Sequence, residues 1–131
     1  MTMVTDNSVI ERYPDEMKTK GIIRQSVQNA TNLLRIEILR CGGIAPPIIV
    51  EWSIVKKDKA NPLYALKLLD YADELNPVER SFANDYLANK QEQVGVDLSR
   101  MLRELLSRRA CRQAGVINDA ISGGIRAESR G

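Results

Sequence analysis

A short leucine-rich segment constrains the fold of this chain more than any other feature. Its apolar residues recur at steps of three and four positions: Leu98, Met101, Leu102, Leu105 and Leu106. This spacing places them on one face of an α-helix, which must bury that face against other elements. Asp97 stands where an N-cap would, with Val96 and Met101 placed as a hydrophobic staple. The sequence therefore predicts a packed helix over about residues 97–113.

Three further segments carry helical spacing or helix start signals. Residues 22–41 repeat apolar side chains at steps of three and four, and a Gly pair follows them, as at many helix ends. Asn61 and Asn76 each precede a proline, which is the order of an N-cap followed by Pro at the first helical position. These signals predict helices over about residues 62–75 and 77–93.

Residues 46–57 fit two structures. Ile48, Val50, Trp52 and Ile54 alternate as they would in a strand, and the density of β-branched residues favours a strand. The same segment also fits a helical stripe that begins after Pro46 and Pro47. Because no second strand is visible in the sequence, and an isolated strand is unstable, a short helix is preferred.

Together these segments predict an all-α fold, a compact bundle of four to five helices with flexible N- and C-terminal tails. A chain of 131 residues fits one domain. We expect residues 1–13 to be flexible, residues 14–118 to form the single helical domain, and residues 119–131 to form a flexible tail.

The sequence carries no motif that names a reaction. It contains no histidine, which removes the commonest general base and metal ligand. The two cysteines, Cys41 and Cys111, lack zinc-site spacing, and the glycine pairs lack the context of a phosphate loop. We therefore interpret the chain as a protein that is not an enzyme and that has no catalytic residue, metal site or cofactor.

Hydropathy favours a soluble protein. No apolar run approaches the length that spans a bilayer, and the first residues lack the basic-then-apolar order of a signal peptide. We therefore expect a cytoplasmic protein with no membrane partner.

Charge is unevenly distributed along the chain. Residues 100–131 contain seven Arg and three acidic residues, whereas residues 62–97 contain three basic and seven acidic residues. Arg109 and Arg112 continue the direction of the leucine stripe, so the buried face of the helix becomes cationic after Leu106. An anionic partner is one explanation, since Arg binds phosphates bidentately. The predicted nucleic-acid-binding residues are Arg100, Arg103, Arg108, Arg109 and Arg112.

Residues 75–87 carry a local resemblance. Leu75, Pro77, Phe82, Tyr86 and Leu87 are in register with the opening motif of some phage small terminase subunits, which this segment resembles. The resemblance covers thirteen residues, and it implies a helical, oligomeric protein that binds DNA through a helix-turn-helix.

Two functions remain open at this point. The first is a non-enzymatic nucleic-acid-binding or nucleoprotein-assembly subunit that uses the Arg-rich C-terminal helix to bind DNA or RNA. The alternative is a helical protein–protein interaction or structural module, an adaptor or an oligomeric subunit related to phages or mobile elements. In the alternative, the arginines pair with acidic residues such as Asp70, Asp73, Glu74 and Asp85. Both hypotheses predict a homo-oligomer.

Overall fold

The computed structural model describes residues 9–19, 22–41 and 46–121, and within them the side chains of residues 19, 22 and 116–121 are left undescribed. The described chain has both strands and helices, so the predicted all-α bundle is wrong. The elements, in chain order, are β1 (Val9–Arg12), a short 3-10 helix (Asp15–Met17), β2 (Lys18–Thr19), β3 (Ile22–Ile23), α1 (Gln25–Arg40), β4 (Ile48–Lys56), β5 (Leu63–Asp70), β6 (Asp73–Ala83), α2 (Asn84–Asn89) and α3 (Gln91–Ile121).

Four of the strands form one mixed sheet, in the order β1-β4-β5-β6. β1 and β4 are parallel neighbours, joined in sequence through α1. The other two pairs are antiparallel hairpins. β2 and β3 make a separate two-stranded hairpin between β1 and α1.

Helices α1 and α3 pack on the same face of the sheet. Alternate residues of β4, namely Ile48, Val50 and Trp52, join the buried cluster, as strand geometry requires. Helix α1 contributes Val27, Ala30, Leu34 and Ile38 to that cluster. Helix α3 contributes its leucine stripe, with Leu98, Leu102 and Leu105 all buried. The helix predictions for these two segments are therefore confirmed, although α1 begins only at Gln25, after strand β3, and α3 begins earlier and ends later than expected.

The opposite face of the sheet carries a row of alternating charges. The strand register aligns Arg12 with Glu51, Glu51 with Lys67, and Lys67 with Glu79. Opposite charges directly across a strand pair stabilise the pairing. Arg12 also reaches Glu74 at 3.3 Å, across the sheet.

The predicted helix over residues 62–75 is wrong, because this segment forms the central strand β5. It is buried on both faces of the sheet, so its sequence is an almost continuous apolar run. Such a run carries no period-2 signal, and its Leu, Ala and Lys residues are good helix formers. The Asn61 amide oxygen does bind a helix, but it accepts the backbone N–H of Asp85 in α2, at 2.8 Å.

The predicted helix over residues 77–93 is also wrong, since it spans β6 and α2 and enters α3. Pro77 lies in β6, close to the point where the register with β5 shifts, between Leu68 and Asp70. Proline is tolerated there because β6 is an edge strand of this sheet. The terminase-like segment is therefore extended over Leu75–Ala83, and only its last four residues, 84–87, are helical, in α2.

The short helix preferred for residues 46–57 is wrong for a related reason. The segment forms β4, and the strand that pairs with it is β5, whose own sequence favours a helix. Asp97, expected at the start of α3, lies inside that helix, where its carboxylate accepts a hydrogen bond from the Tyr86 hydroxyl at 2.7 Å.

Parts of the predicted tails lie within the described residues. Val9–Arg12 form β1, and α3 continues to Ile121. The remainder of both tails, residues 1–8 and 122–131, lies outside the described residues, as does the glycine pair at 42–43.

Candidate functional site

Two of the five predicted arginines meet at a buried carboxylate. Asp70 ends β5, and its side chain is 1% exposed. Arg109 of α3 is 7% exposed and binds it with two hydrogen bonds, from Nε to Oδ2 at 2.8 Å and from Nη2 to Oδ1 at 2.9 Å. Nη2 also donates to the Pro46 carbonyl at 2.9 Å. This bidentate pair connects α3, the sheet and the chain entering β4.

The surroundings of Asp70 favour its charged form. Burial alone would raise the pKa of Asp70, but the Arg109 hydrogen bond, the Ala72 backbone N–H and the charges of Arg109 and Arg112 outweigh burial. The pKa of Asp70 therefore lies below its ordinary value. The β5–β6 turn places the Ala72 N–H 2.9 Å from Oδ1, as in an Asx turn.

Arg112 and Arg108 are also engaged within the chain. Arg112 binds Asp70 and also Asp73, the latter at 3.1 Å. Arg108 pairs with Glu104 and donates to the backbone carbonyls of β6 at Asn76 and Pro77. The acidic partners that the alternative hypothesis names include Asp70 and Asp73, and the structure brings these two to the arginines within one chain.

Arg100 and Arg103 lie apart from this network. Both are exposed on α3, beside a groove of about 580 Å³ between α3 and α1. Ile36 of α1 and Val96 of α3 border the groove, and they are 51% and 44% exposed. The five predicted residues are thus divided between an internal network and a helix surface.

A second cationic surface lies at the other end of the sheet, around the β4–β5 loop. Lys56, Lys57 and Lys59 are exposed there. The Asp58 carboxylate accepts the backbone N–H of Ala60 at 2.9 Å, which fixes the turn. The loop is also joined to α2, since the Asn84 N–H donates to the Pro62 carbonyl at 2.9 Å. The lysines therefore project from a loop whose backbone is held in place.

A cavity of about 830 Å³, which we call the hairpin cleft, opens beside this loop. Its apolar lining comes from Met17, Ile23, Ile54, Pro62 and the ring of Tyr64. Its polar edge includes three cations, Arg24, Lys57 and Lys59, and two carboxylates, those of Glu16 and Asp58. Glu16 and Lys57 stand 3.8 Å apart, and both are largely exposed, so this pair is weak.

Sequence reasoning missed the hairpin cleft. The run Lys56-Lys57-Asp58-Lys59 was available as a signal, because it is the densest group of lysines in the chain. The run indicates this site only once β4 and β5 are known to form a hairpin, because it then lies at the end of β4 and in the loop that joins the two strands. Arg24, at the N-cap of α1, is brought to the same place by the fold alone.

The described residues hold no cluster of three His, Cys, Asp or Glu side chains able to bind a metal ion. Cys41 and Cys111 are both exposed and free. Within the same residues, no helix is long and apolar enough to cross a membrane.

Comparisons with known proteins found no match. No family model, no curated protein and no solved structure matches this chain.

Proposed function

We propose that this protein is a non-enzymatic nucleic-acid-binding subunit whose main phosphate-binding surface is the β4–β5 loop with Arg24. The observation that carries the proposal is the group of exposed cations on a hydrogen-bonded loop at the mouth of the hairpin cleft. Phosphate contacts from Lys and Arg supply most of the sequence-independent affinity for nucleic acid.

The Asp70 network determines which cations remain for a partner. Arg109 and Arg112 would have to leave a buried carboxylate before they bound a phosphate. Breaking such a pair leaves an uncompensated buried charge, which is strongly unfavourable. Lys56, Lys59 and Arg24 make no ion pair with another described residue, so a phosphate meets no such competition there.

The proposal is tested by fluorescence anisotropy with a labelled single-stranded RNA, titrated at several salt concentrations. We expect Lys57→Glu with Lys59→Glu to weaken binding about ten-fold or more. The slope of log affinity against log salt should become shallower by about 0.7 for each phosphate that the variant no longer neutralises.

The matched control is the pair Arg100→Glu with Arg103→Glu, which reverses the same charge on the exposed face of α3. It should change affinity much less than the lysine pair. If only the arginine pair weakened binding, the interface would lie on α3. If neither pair altered binding, phosphate recognition by these surfaces would be contradicted.

A second candidate function is favoured by the α1–α3 groove. Exposed Ile36 and Val96 form an apolar patch there, of a kind used in contacts between proteins. In this case the protein is a structural subunit that pairs with a second copy through the groove. Light scattering coupled to size exclusion tests it, because Ile36→Ser with Val96→Ser should then lower the measured mass to that of a monomer. A mass that the double variant leaves unchanged would exclude this interface.

A further inference from the structure

The hairpin cleft has the size and lining of a ligand site. Its volume of about 830 Å³ lies within the range of about 300–1,000 Å³ that is typical of small-molecule pockets. Its lining combines apolar side chains with three exposed cations, Arg24, Lys57 and Lys59. A matching ligand has a largely apolar body and an attached anionic group.

Tyr64 supplies a polar group inside this cavity. The residue is only 3% exposed, yet among the described residues none shares a hydrogen bond with its hydroxyl. Tyr64 belongs to the lining of the cleft, so a ligand bound there lies against this residue. Burial raises the pKa of Tyr64, against the opposing charge of Arg24, and the neutral O–H can therefore both donate and accept.

The edge of the cleft suits an anionic group such as a phosphate. Arg24 approaches from the start of α1, and Lys57 and Lys59 approach from the loop. Of the two carboxylates, Asp58 already accepts backbone N–H groups of the turn. Glu16 faces Lys57 at 3.8 Å and can be displaced by a phosphate, because both side chains are exposed.

We propose that the hairpin cleft receives one unpaired nucleobase, with its flanking phosphates on Arg24, Lys57 and Lys59. This rests on the proposed nucleic-acid-binding function and adds its substrate class, which is a single-stranded segment. A base held in a duplex cannot enter a cavity, whereas an unstacked base can be splayed into one and read by hydrogen bonds at its edge.

The first test compares three labelled probes of equal length: a single-stranded RNA, the same strand in a duplex, and a single strand with abasic sites. The wild-type protein should bind the single strand about ten-fold more tightly than the abasic strand, because the abasic strand loses the hydrogen bonds and the apolar contacts of the base. It should also prefer the single strand to the duplex.

The second test uses Tyr64→Phe, which keeps the buried ring and removes the hydroxyl. This variant should bind the intact single strand about three-fold to ten-fold more weakly, with unchanged affinity for the abasic strand. Tyr71→Phe is the control, because Tyr71 is exposed in the turn at the opposite end of β5. Trp52 fluorescence verifies that both variants fold.

The outcomes separate the two proposals. Equal binding of all three probes, weakened by Lys57→Glu with Lys59→Glu but not by Tyr64→Phe, would overturn the base site and leave phosphate binding intact. If no probe binds to the wild-type protein, the proposed function fails and the base site fails with it.

Discussion

Arg109 and Asp70 form a buried, bidentate ion pair that joins α3 to the end of β5. Its position explains why the apolar face of α3 becomes cationic after Leu106. The helix passes beyond the apolar part of the sheet and meets a carboxylate at the β5–β6 turn. The same pair fixes the chain that enters β4, through the Pro46 carbonyl. A single ion pair thus connects three segments that are distant in sequence.

Asp70→Asn should destabilise the protein by about 3–5 kcal/mol, because it leaves the Arg109 charge buried without a counter-charge. Urea unfolding measures this destabilisation. Asp73→Asn is the control, since among the described residues the ion pair of Asp73 is with the partly exposed Arg112, and it should cost about 1 kcal/mol or less. Equal destabilisation by the two variants would contradict a special role for the buried carboxylate.

Replacing both members of the pair should cost less than replacing one. In Asp70→Leu with Arg109→Met, no charge remains buried at this pair and the volume is largely retained. We expect the double variant to unfold at a higher urea concentration than Asp70→Leu alone. Additive effects in this double-mutant cycle would show that the two side chains act independently.

As the pH falls in the acid range, the free energy of unfolding should decrease more steeply in the wild type than in Asp70→Asn. The pKa of Asp70 in the folded protein is lowered from its ordinary value of 3.8. The folded state therefore binds that proton less readily than the unfolded state, and the resulting stability is fully present above the ordinary value. It is lost as the pH falls through 3.8 towards the lower folded value. The urea midpoints of the wild type and of Asp70→Asn should therefore approach each other as the pH falls through this range. A difference between the midpoints that stays constant with pH would contradict the lowered pKa of Asp70.

How far the sequence predicted this fold depended on where each element lies. The apolar stripes of α1 and α3 were visible because each helix buries one face against the sheet. β5 was not, because it is central and buried on both faces, so its Leu and Ala residues matched a helix as well as a strand. That one misassignment removed the partner of β4 and turned a mixed sheet into a predicted bundle.

The candidate site, like the fold, was predictable from the sequence only in part. The helix period places Arg109 and Arg112 on the buried face, for which an anionic partner is one explanation, and the acidic charge of residues 62–97 makes Asp70 one candidate. That the partner lies in the same chain depends on the β5–β6 turn, which a predicted helix over this segment excludes. The hairpin cleft combines residues of several separate elements and loops, so the lysine run at 56–59 alone did not indicate it.

Thr31 is expected to contribute to stability through the core tryptophan. Its hydroxyl oxygen accepts the Trp52 Nε1–H at 3.0 Å in the buried interior between α1 and β4. Thr31→Val keeps the shape but leaves that N–H without a partner, which should cost about 1–3 kcal/mol. Thr31→Ser keeps the hydroxyl and should cost only about 1 kcal/mol for the missing methyl group. Because Trp52 is the only tryptophan in the chain, its fluorescence reports unfolding directly, and a valine variant as stable as the serine variant would contradict this role.

Four of the predicted arginines of the C-terminal helix should separate into two classes when their charges are reversed. Arg109→Glu with Arg112→Glu places two carboxylates against buried Asp70, and we expect it to unfold the protein or to lower its free energy of unfolding by several kcal/mol. Arg100→Glu with Arg103→Glu changes two exposed side chains and should alter that free energy by about 0.5 kcal/mol or less. Circular dichroism during urea titration measures both. If Arg109→Glu with Arg112→Glu folded as stably as the wild type, these two arginines would be free for an anionic partner, and the phosphate-binding surface would have to be sought on α3.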